Sequence, residues 1–234
     1  EEKKVRLYSG EMAASMVKIA VPSTLQQSIV HVGILLVQAV INSFGSTALA
    51  GYSAGMRIES LSIVPMLAMG NAMSTFTAQN MGAGNIDRVK KGYQMCYVIV
   101  LTAGAVLCIM YQLAGGMFVS LFLDSGSSEA YNIGLSYVRF LSFFYSFIGL
   151  KASTDGLLRG AGDVVAFTVA NLVNLAIRVS VTNLFAPVYG IQVAWMAVPM
   201  GWAANYIISF GWYLTGKWKR VKVISADQGE KRKN

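Results

Sequence analysis

The amino-acid sequence predicts an all-α polytopic membrane protein, a bundle of six transmembrane helices. Of its 234 residues, 55% are hydrophobic and only 13% are charged, and the mean hydropathy is +0.52. A soluble domain carries about 25% charged residues, so this composition indicates lipid as the surrounding medium. The apolar runs are too long for barrel strands and lack their alternation of polar and apolar residues, which leaves helices as the spanning elements.

Six apolar segments are long enough to cross a bilayer, which takes about 20 residues of helix. They cover residues 18–43, 48–78, 94–122, 131–157, 163–186 and 190–215. Residues 18–216 are therefore predicted to form one six-helix lobe. Residues 1–17 are predicted to be a cytoplasmic lead-in or linker, and residues 217–234 a basic cytoplasmic tail. The chain begins without Met and without an apolar leader, which fits a segment of a longer protein and equally a trimmed chain.

Lysine and arginine occur on every second connector between these segments. The basic connectors carry Lys3, Lys4 and Arg6, then Arg88, Lys90 and Lys91, then Arg159, and lastly Lys217, Lys219, Arg220 and Lys222. The connectors at 43–47, 124–130 and 187–190 carry none. By the positive-inside rule the basic side is cytoplasmic, so both termini are expected in the cytoplasm and the protein in a bacterial inner membrane. The net charge of +8 follows this pattern and does not indicate a nucleic-acid partner.

Polar residues recur at helical spacing inside several segments. They are Gln27, His31, Gln38 and Asn42 on the first segment, Ser53, Arg57 and Asn71 on the second, and Ser146 on the fourth. Polar side chains at bilayer depth normally face protein or a water-filled cavity. Two interpretations stay open, hydrogen bonding between helices or the wall of a solute-binding cavity. Hydrogen bonding is favoured for the fourth and fifth segments, whereas the first two support either, and these eight residues are the candidate cavity wall.

Charged residues inside the segments need partners. Lys151 and Asp155 are four residues apart, which predicts a local ion pair. Glu59 is expected near an interface or another helix, and Arg178 near a carbonyl or an acid elsewhere in the chain. The sequence contains no phosphate-binding loop, no His/Cys metal spacing and no nucleophile with a plausible base. We therefore predict a protein that is not an enzyme and has no catalytic residue, no metal site and no cofactor.

Three stretches of sequence together resemble one family of transporters. They are Pro22-Ser23-x-Leu25-Gln26-Gln27-Ser28, the stretch from Ala50 through Arg57-Ile58-Glu59-Ser60-Leu61 to Gln79-Asn80-x-Gly82-Ala83-Gly84, and Gly156-Leu157-Leu158-Arg159-Gly160-Ala161-Gly162-Asp163. In this order, and on these segments, they resemble the C-terminal six-helix lobe of MATE (multidrug and toxic compound extrusion) transporters. With the helix count, the resemblance covers nearly all residues from about 15 to 216.

The resemblance implies a complete protein of twelve helices, arranged as two six-helix lobes around a V-shaped cavity. It implies export of small amphiphilic or cationic compounds by H⁺ or Na⁺ antiport with alternating access, with the N-terminal lobe and the lipid bilayer as partners. The NorM-like branch places coupling acids on the first and fourth helices of this lobe. Here the first helix has no acid after Glu11, and the relevant depth of the fourth reads Tyr145-Ser146-Phe147-Ile148. The chain resembles the DinF-like branch more closely, so ion coupling is expected in the N-terminal lobe.

Two other functions are compatible with the sequence. One is a lipid-linked precursor flippase of the same superfamily, for which the intramembrane cations Arg57, Arg139 and Arg178 argue. The other is a non-transporting, half-size membrane scaffold that self-associates.

Overall fold

Seven α-helices, followed by a single turn of 3-10 helix, make up the described residues of the computed structural model, which are 28–124 and 129–220. Within those residues there is no strand, which confirms the predicted all-α class. The helices are α1, described over Ser28–Asn42, α2 (Ser46–Gly82), α3 (Ile86–Val119), α4 (Glu129–Ser142), α5 (Tyr145–Gly160), α6 (Val164–Tyr189) and α7 (Gln192–Leu214), and the 3-10 turn is Lys217–Arg220.

Four of these helices, α2, α3, α6 and α7, are individually long and apolar enough to cross a membrane. The pair α4 and α5 meets the same criterion when taken as one span, which gives up to five spans in the described residues. The first predicted segment, 18–43, is described only from Ser28 onward, so its length as a span stays a prediction.

The fourth predicted segment, 131–157, needs a correction because it is two helices. α4 and α5 meet at a bend of 53°. The amide of Gln112, on α3, donates hydrogen bonds of 2.8 Å both to the Arg139 carbonyl and to Ser142 Oγ. In an unbroken helix, the Arg139 carbonyl would accept a hydrogen bond from the amide of Phe143, the first residue after α4. A side chain inserted into the backbone ladder is an established cause of a sharp kink.

Two Gly-Ala-Gly strings end α2 and α5 with the same local geometry. Gly84 has φ +74° and Gly162 has φ +83°. Residues other than glycine rarely adopt this backbone conformation. After α2, the Asn85 amide donates to the Asn80 carbonyl at 2.7 Å and the Gly84 amide to Met81 at 3.0 Å. The equivalent pair of bonds follows α5. Each string is therefore a Schellman motif, which satisfies the last carbonyls of its helix.

The α2–α5 crossing forms the centre of the bundle. A Cβ built on Gly156 would lie 2.1 Å from the Gly70 carbonyl oxygen, and one on Gly160 would lie 2.2 Å from the Ser74 carbonyl oxygen. Small residues permit this close backbone approach between membrane helices. Gly156 and Gly160 of the third sequence stretch thus serve packing, and they fix α5 against α2.

Candidate substrate-binding surface

The polar residues of α1 lie along one side of the helix. At 100° per residue, His31, Gln38 and Asn42 fall within about 40° of one another. The Gln38 amide donates to Asn42 Oδ1 at 3.3 Å, and His31 and Asn42 are exposed. The buried side of α1 is apolar and includes Gly33, whose added Cβ would meet Leu175 of α6 at 2.4 Å. Gln27, the remaining candidate on this helix, lies outside the described residues.

The polar residues of α2 point away from its packed side. Ser53, Arg57 and Asn71 fall within about 40° of one another, and Arg57 and Asn71 are exposed. They lie roughly opposite Gly55, which packs on the Tyr137 ring of α4. The Arg57 guanidinium carbon is 5.9 Å from the centroid of the Phe122 ring, within the range of a cation–π interaction. At the other end of α2, Asn71 Oδ1 accepts a hydrogen bond of 2.7 Å from Arg159.

A polar recess connects α1 to α6. It has a volume of about 110 Å³ and is lined by Val30, Ile34, Phe167, Asn171, Asn174, Leu175 and Arg178. A smaller cavity next to it is lined by Gln38 together with Tyr52, Met56 and Arg178. Arg178 thus borders both cavities, beside the α1 polar residues.

Ser146, the candidate on the fourth predicted segment, lies apart from these surfaces. A Cβ on Gly104 of α3 would meet Ser146 Oγ at 2.4 Å, so Ser146 packs directly on α3. On the same side of α5, Ser153 Oγ is 3.1 Å from Cys96 Sγ and donates to the Gly149 carbonyl. These contacts favour hydrogen bonding and packing between α5 and α3 as the role of this polar face.

The two internal acids of the lobe are both engaged. Lys151 Nζ lies 3.0 Å from Asp155 Oδ2, which confirms the predicted ion pair. Glu59 is buried and accepts a hydrogen bond from the Tyr137 hydroxyl, so it does lie against another helix. The Arg178 guanidinium is close enough to the Glu59 carboxylate for an electrostatic interaction, but the two groups form no ion pair within 4 Å.

Sequence spacing did not reveal the wider network around Asp155. Asn171 of α6 donates to Asp155 Oδ2 at 3.3 Å and accepts from Lys151 at 3.1 Å. Ser209 of α7 donates to Asp155 Oδ1 at 2.7 Å. The available sequence signal for this network was the helical spacing of polar residues on the fifth and sixth segments. That spacing does not show which neighbouring helix these residues contact. The network joins α5, α6 and α7.

Comparison with known proteins identifies the family. The family model described as MatE matches residues 22–184, more than half of the chain. The chain belongs to the MatE family. It is 28% identical to the "Probable multidrug resistance protein YpnP" of Bacillus subtilis over 221 residues, which are 94% of this chain and 49% of that protein. The chain thus spans about half the length of the curated relatives it matches.

Solved structures show the same fold. A MOP-superfamily transporter from Pyrococcus furiosus superposes with a TM-score of 0.80 at 20% identity, over 92% of this chain and 49% of that one. An outward-facing multidrug resistance MATE family transporter gives 0.80 at 21% identity, over 93% and 50%.

Membership in the MatE family confirms two coarse predictions. The named members are transporters and not enzymes, which agrees with the prediction that this chain is not an enzyme. A transporter family together with long apolar helices makes the chain an integral membrane protein.

Proposed function

We propose that this chain is the C-terminal lobe of a twelve-helix transporter that exports multiple small organic compounds, many of them cationic and amphiphilic. The coverage carries this proposal. The alignment covers nearly all of this chain but only about half the length of each relative and of each solved MATE transporter. A second lobe would supply the other wall of a central cavity, and alternating access would expose that cavity to each side of the membrane in turn.

The exposed polar sides of α1 and α2 are the proposed wall of that cavity in this lobe. His31, Asn42, Arg57 and Asn71 are exposed, whereas the opposite side of α2 is buried on α4 and α5. Exposed polar groups at bilayer depth are costly against lipid. A water-filled cavity between two lobes would hydrate them.

We place ion coupling in the N-terminal lobe, as in the DinF-like branch. The two acids buried in the described residues are already occupied, Glu59 by Tyr137 and Asp155 by Lys151. No group of three or more metal-binding side chains occurs in the described part of the chain. Antiport of H⁺ or Na⁺ would then depend on acids of the other lobe.

Both termini of the segment are proposed to lie in the cytoplasm of a bacterium, with the protein in the inner membrane. The support is the alternation of basic and uncharged connectors. The end of α2, the start of α3 and the end of α5 would then form the cytoplasmic side.

A lipid-linked precursor flippase is the second candidate, and one observation favours it. Arg57 is exposed and makes no ion pair within the described residues, so it could meet an anionic headgroup in the cavity. Arg178, by contrast, already has Glu59 nearby. Transport of a lipid-linked anion, with no efflux of organic cations, would select this function.

The cavity assignment is tested by drug efflux from cells that express the full-length protein. Gln38→Ala or His31→Ala is expected to lower efflux about 2- to 10-fold, because each loses a hydrogen bond to solute worth about 0.5–1.5 kcal/mol. Thr102→Ala is the matched control, since Thr102 is exposed on α3 and bonds its own helix. If alanine variants of every polar residue of α1 left efflux unchanged, this side of α1 would not be part of the substrate-binding cavity.

The half-protein assignment is tested by the gene upstream of residue 1. We expect it to encode a second block of six apolar segments in the same reading frame. A stop codon there would instead support the half-size scaffold that self-associates.

A further inference from the structure

A groove between α2 and α3 combines an apolar floor with a basic end. It has a volume of about 270 Å³ and is lined mainly by Met69, Met73, Phe76, Gly92, Met95 and Ile99. The open side belongs to α3, where Met95 is 60% exposed and Ile99 49% exposed. Methionine side chains are flexible and polarizable, and so they adapt to an irregular apolar ligand.

The basic end of the groove belongs to the first turns of α3. Arg88 precedes Gly92, Met95 and Ile99 by 4, 7 and 11 residues, which puts all four on one side of the helix. The Arg88 guanidinium carbon is 5.9 Å from the centroid of the Phe76 ring. That ring in turn lies on Gly92, where an added Cβ would be 2.2 Å from Phe76 Cε1. A cation therefore sits directly at the mouth of the apolar groove.

The local charge balance leaves this mouth positive. Among the described residues of this connector and the first turn of α3, the acid is Asp87, and it is paired with Lys90 at 2.9 Å. Lys91 is exposed and forms no ion pair within the described residues. Lys219 lies close enough to act on Asp87 as well. Arg88 and Lys91 are thus available to an anion from outside the chain.

We propose that this groove is a binding site for an anionic phospholipid, with its phosphate at Arg88 and Lys91 and an acyl chain along Met95 and Ile99. The length fits, since eleven residues of helix from Arg88 to Ile99 rise about 16 Å, and one leaflet of a hydrocarbon core of about 30 Å is about 15 Å thick. Basic pockets between membrane helices on the cytoplasmic side bind anionic headgroups. The choice of the inner leaflet rests on the orientation proposed above.

The site is tested with the purified full-length protein by native mass spectrometry against phosphatidylglycerol and phosphatidylcholine of identical acyl chains. We expect preferential retention of phosphatidylglycerol. Arg88→Gln and Lys91→Gln are each expected to lower it about fivefold. The double variant Met95→Trp/Ile99→Trp fills the groove from exposed positions, which spares the core, and is expected to lower retention of phosphatidylglycerol as well.

Arg139→Gln is the matched control, because Arg139 is exposed on α4 and makes no ion pair in the described residues. Equal retention of the two lipids would overturn the proposal in favour of ordinary boundary lipid. An equal loss in Arg139→Gln, or full retention in the tryptophan variant, would overturn it too. The measurement needs no transport, so a protein that binds phosphatidylglycerol but exports nothing would refute only the proposed function.

Discussion

Asp155 is the residue on which three helices of the lobe converge. Its carboxylate accepts from Ser209 Oγ at 2.7 Å, from Lys151 Nζ at 3.0 Å and from Asn171 Nδ2 at 3.3 Å. The side chains of Lys151 and Asp155 are only 13% and 6% exposed. A buried charge pair contributes little net stability, yet removal of one partner is costly because the other charge stays buried without compensation.

Lys151→Met is accordingly expected to destabilise the protein by about 3–5 kcal/mol. The double variant Lys151→Met/Asp155→Leu should recover most of this loss, since it leaves neither charge buried. Thermal unfolding in detergent measures both, and Lys219→Met is the exposed control. Equal destabilisation by the single and double variants would contradict a compensated pair.

The sequence predicted residue pairs only where the partners are close along the chain. Lys151 and Asp155 share one helix, and their spacing of four was enough. The distance along the chain from Asp155 to Ser209 is 54 residues, and from Glu59 to Tyr137 it is 78. A contact across such a distance depends on how helices pack, and the periodicity of one helix carries no information on its neighbour.

At the scale of helices, close backbone contact fixes α5 on α2. Gly156→Leu is expected to destabilise the protein by about 1–3 kcal/mol or more, because its Cβ would lie 2.1 Å from the Gly70 carbonyl oxygen and would push the helices apart. Gly211→Leu is the matched control in α7, since nothing lies within 4 Å of an added Cβ there. The measurement is the melting temperature of purified protein. Similar melting temperatures for the two variants would rule out a tight α2–α5 crossing.

The helices themselves were largely predictable, and the break in the fourth segment was not. Composition and length located α2, α3, α6 and α7, and the glycines after α2 indicated where that helix ends. The bend between α4 and α5 contains neither proline nor glycine. The Arg139 carbonyl at the bend accepts hydrogen bonds from Gln112 of α3 and from Ser142 Oγ, and the bond from α3 depends on how the helices pack, which the sequence of the fourth segment does not encode.

At the scale of the whole molecule, the orientation in the membrane is the main prediction open to a direct test. In a full-length protein without Cys96 and Cys108, Glu129→Cys should react with a membrane-impermeant thiol reagent in intact cells. Ala83→Cys should react only after permeabilisation. Both positions are exposed. The reverse labelling pattern would invert the assignment from the basic connectors.

For the candidate cavity wall too, periodicity within one helix does not show what each residue faces in the assembled lobe. Periodicity predicts that His31, Gln38 and Asn42 share one side of a helix, and α1 is helical over Ser28–Asn42. Ser146, the candidate on the fourth segment, packs on α3, and the role of all these residues as a cavity wall stays a prediction. Periodicity gives the relative directions of residues on one helix, whereas the outward direction of each helix depends on the lobe as a whole.

The network at Asp155 also has a consequence for biosynthesis. Translation delivers α5 to the membrane before α6 and α7 exist, so Lys151 and Asp155 arrive without Asn171 and Ser209. Lys151 and Asp155 can already pair with each other on α5, but the Asp155 carboxylate gains its bonds from Asn171 and Ser209 only when α6 and α7 arrive. The final packing of α5 therefore follows the synthesis of the last two helices.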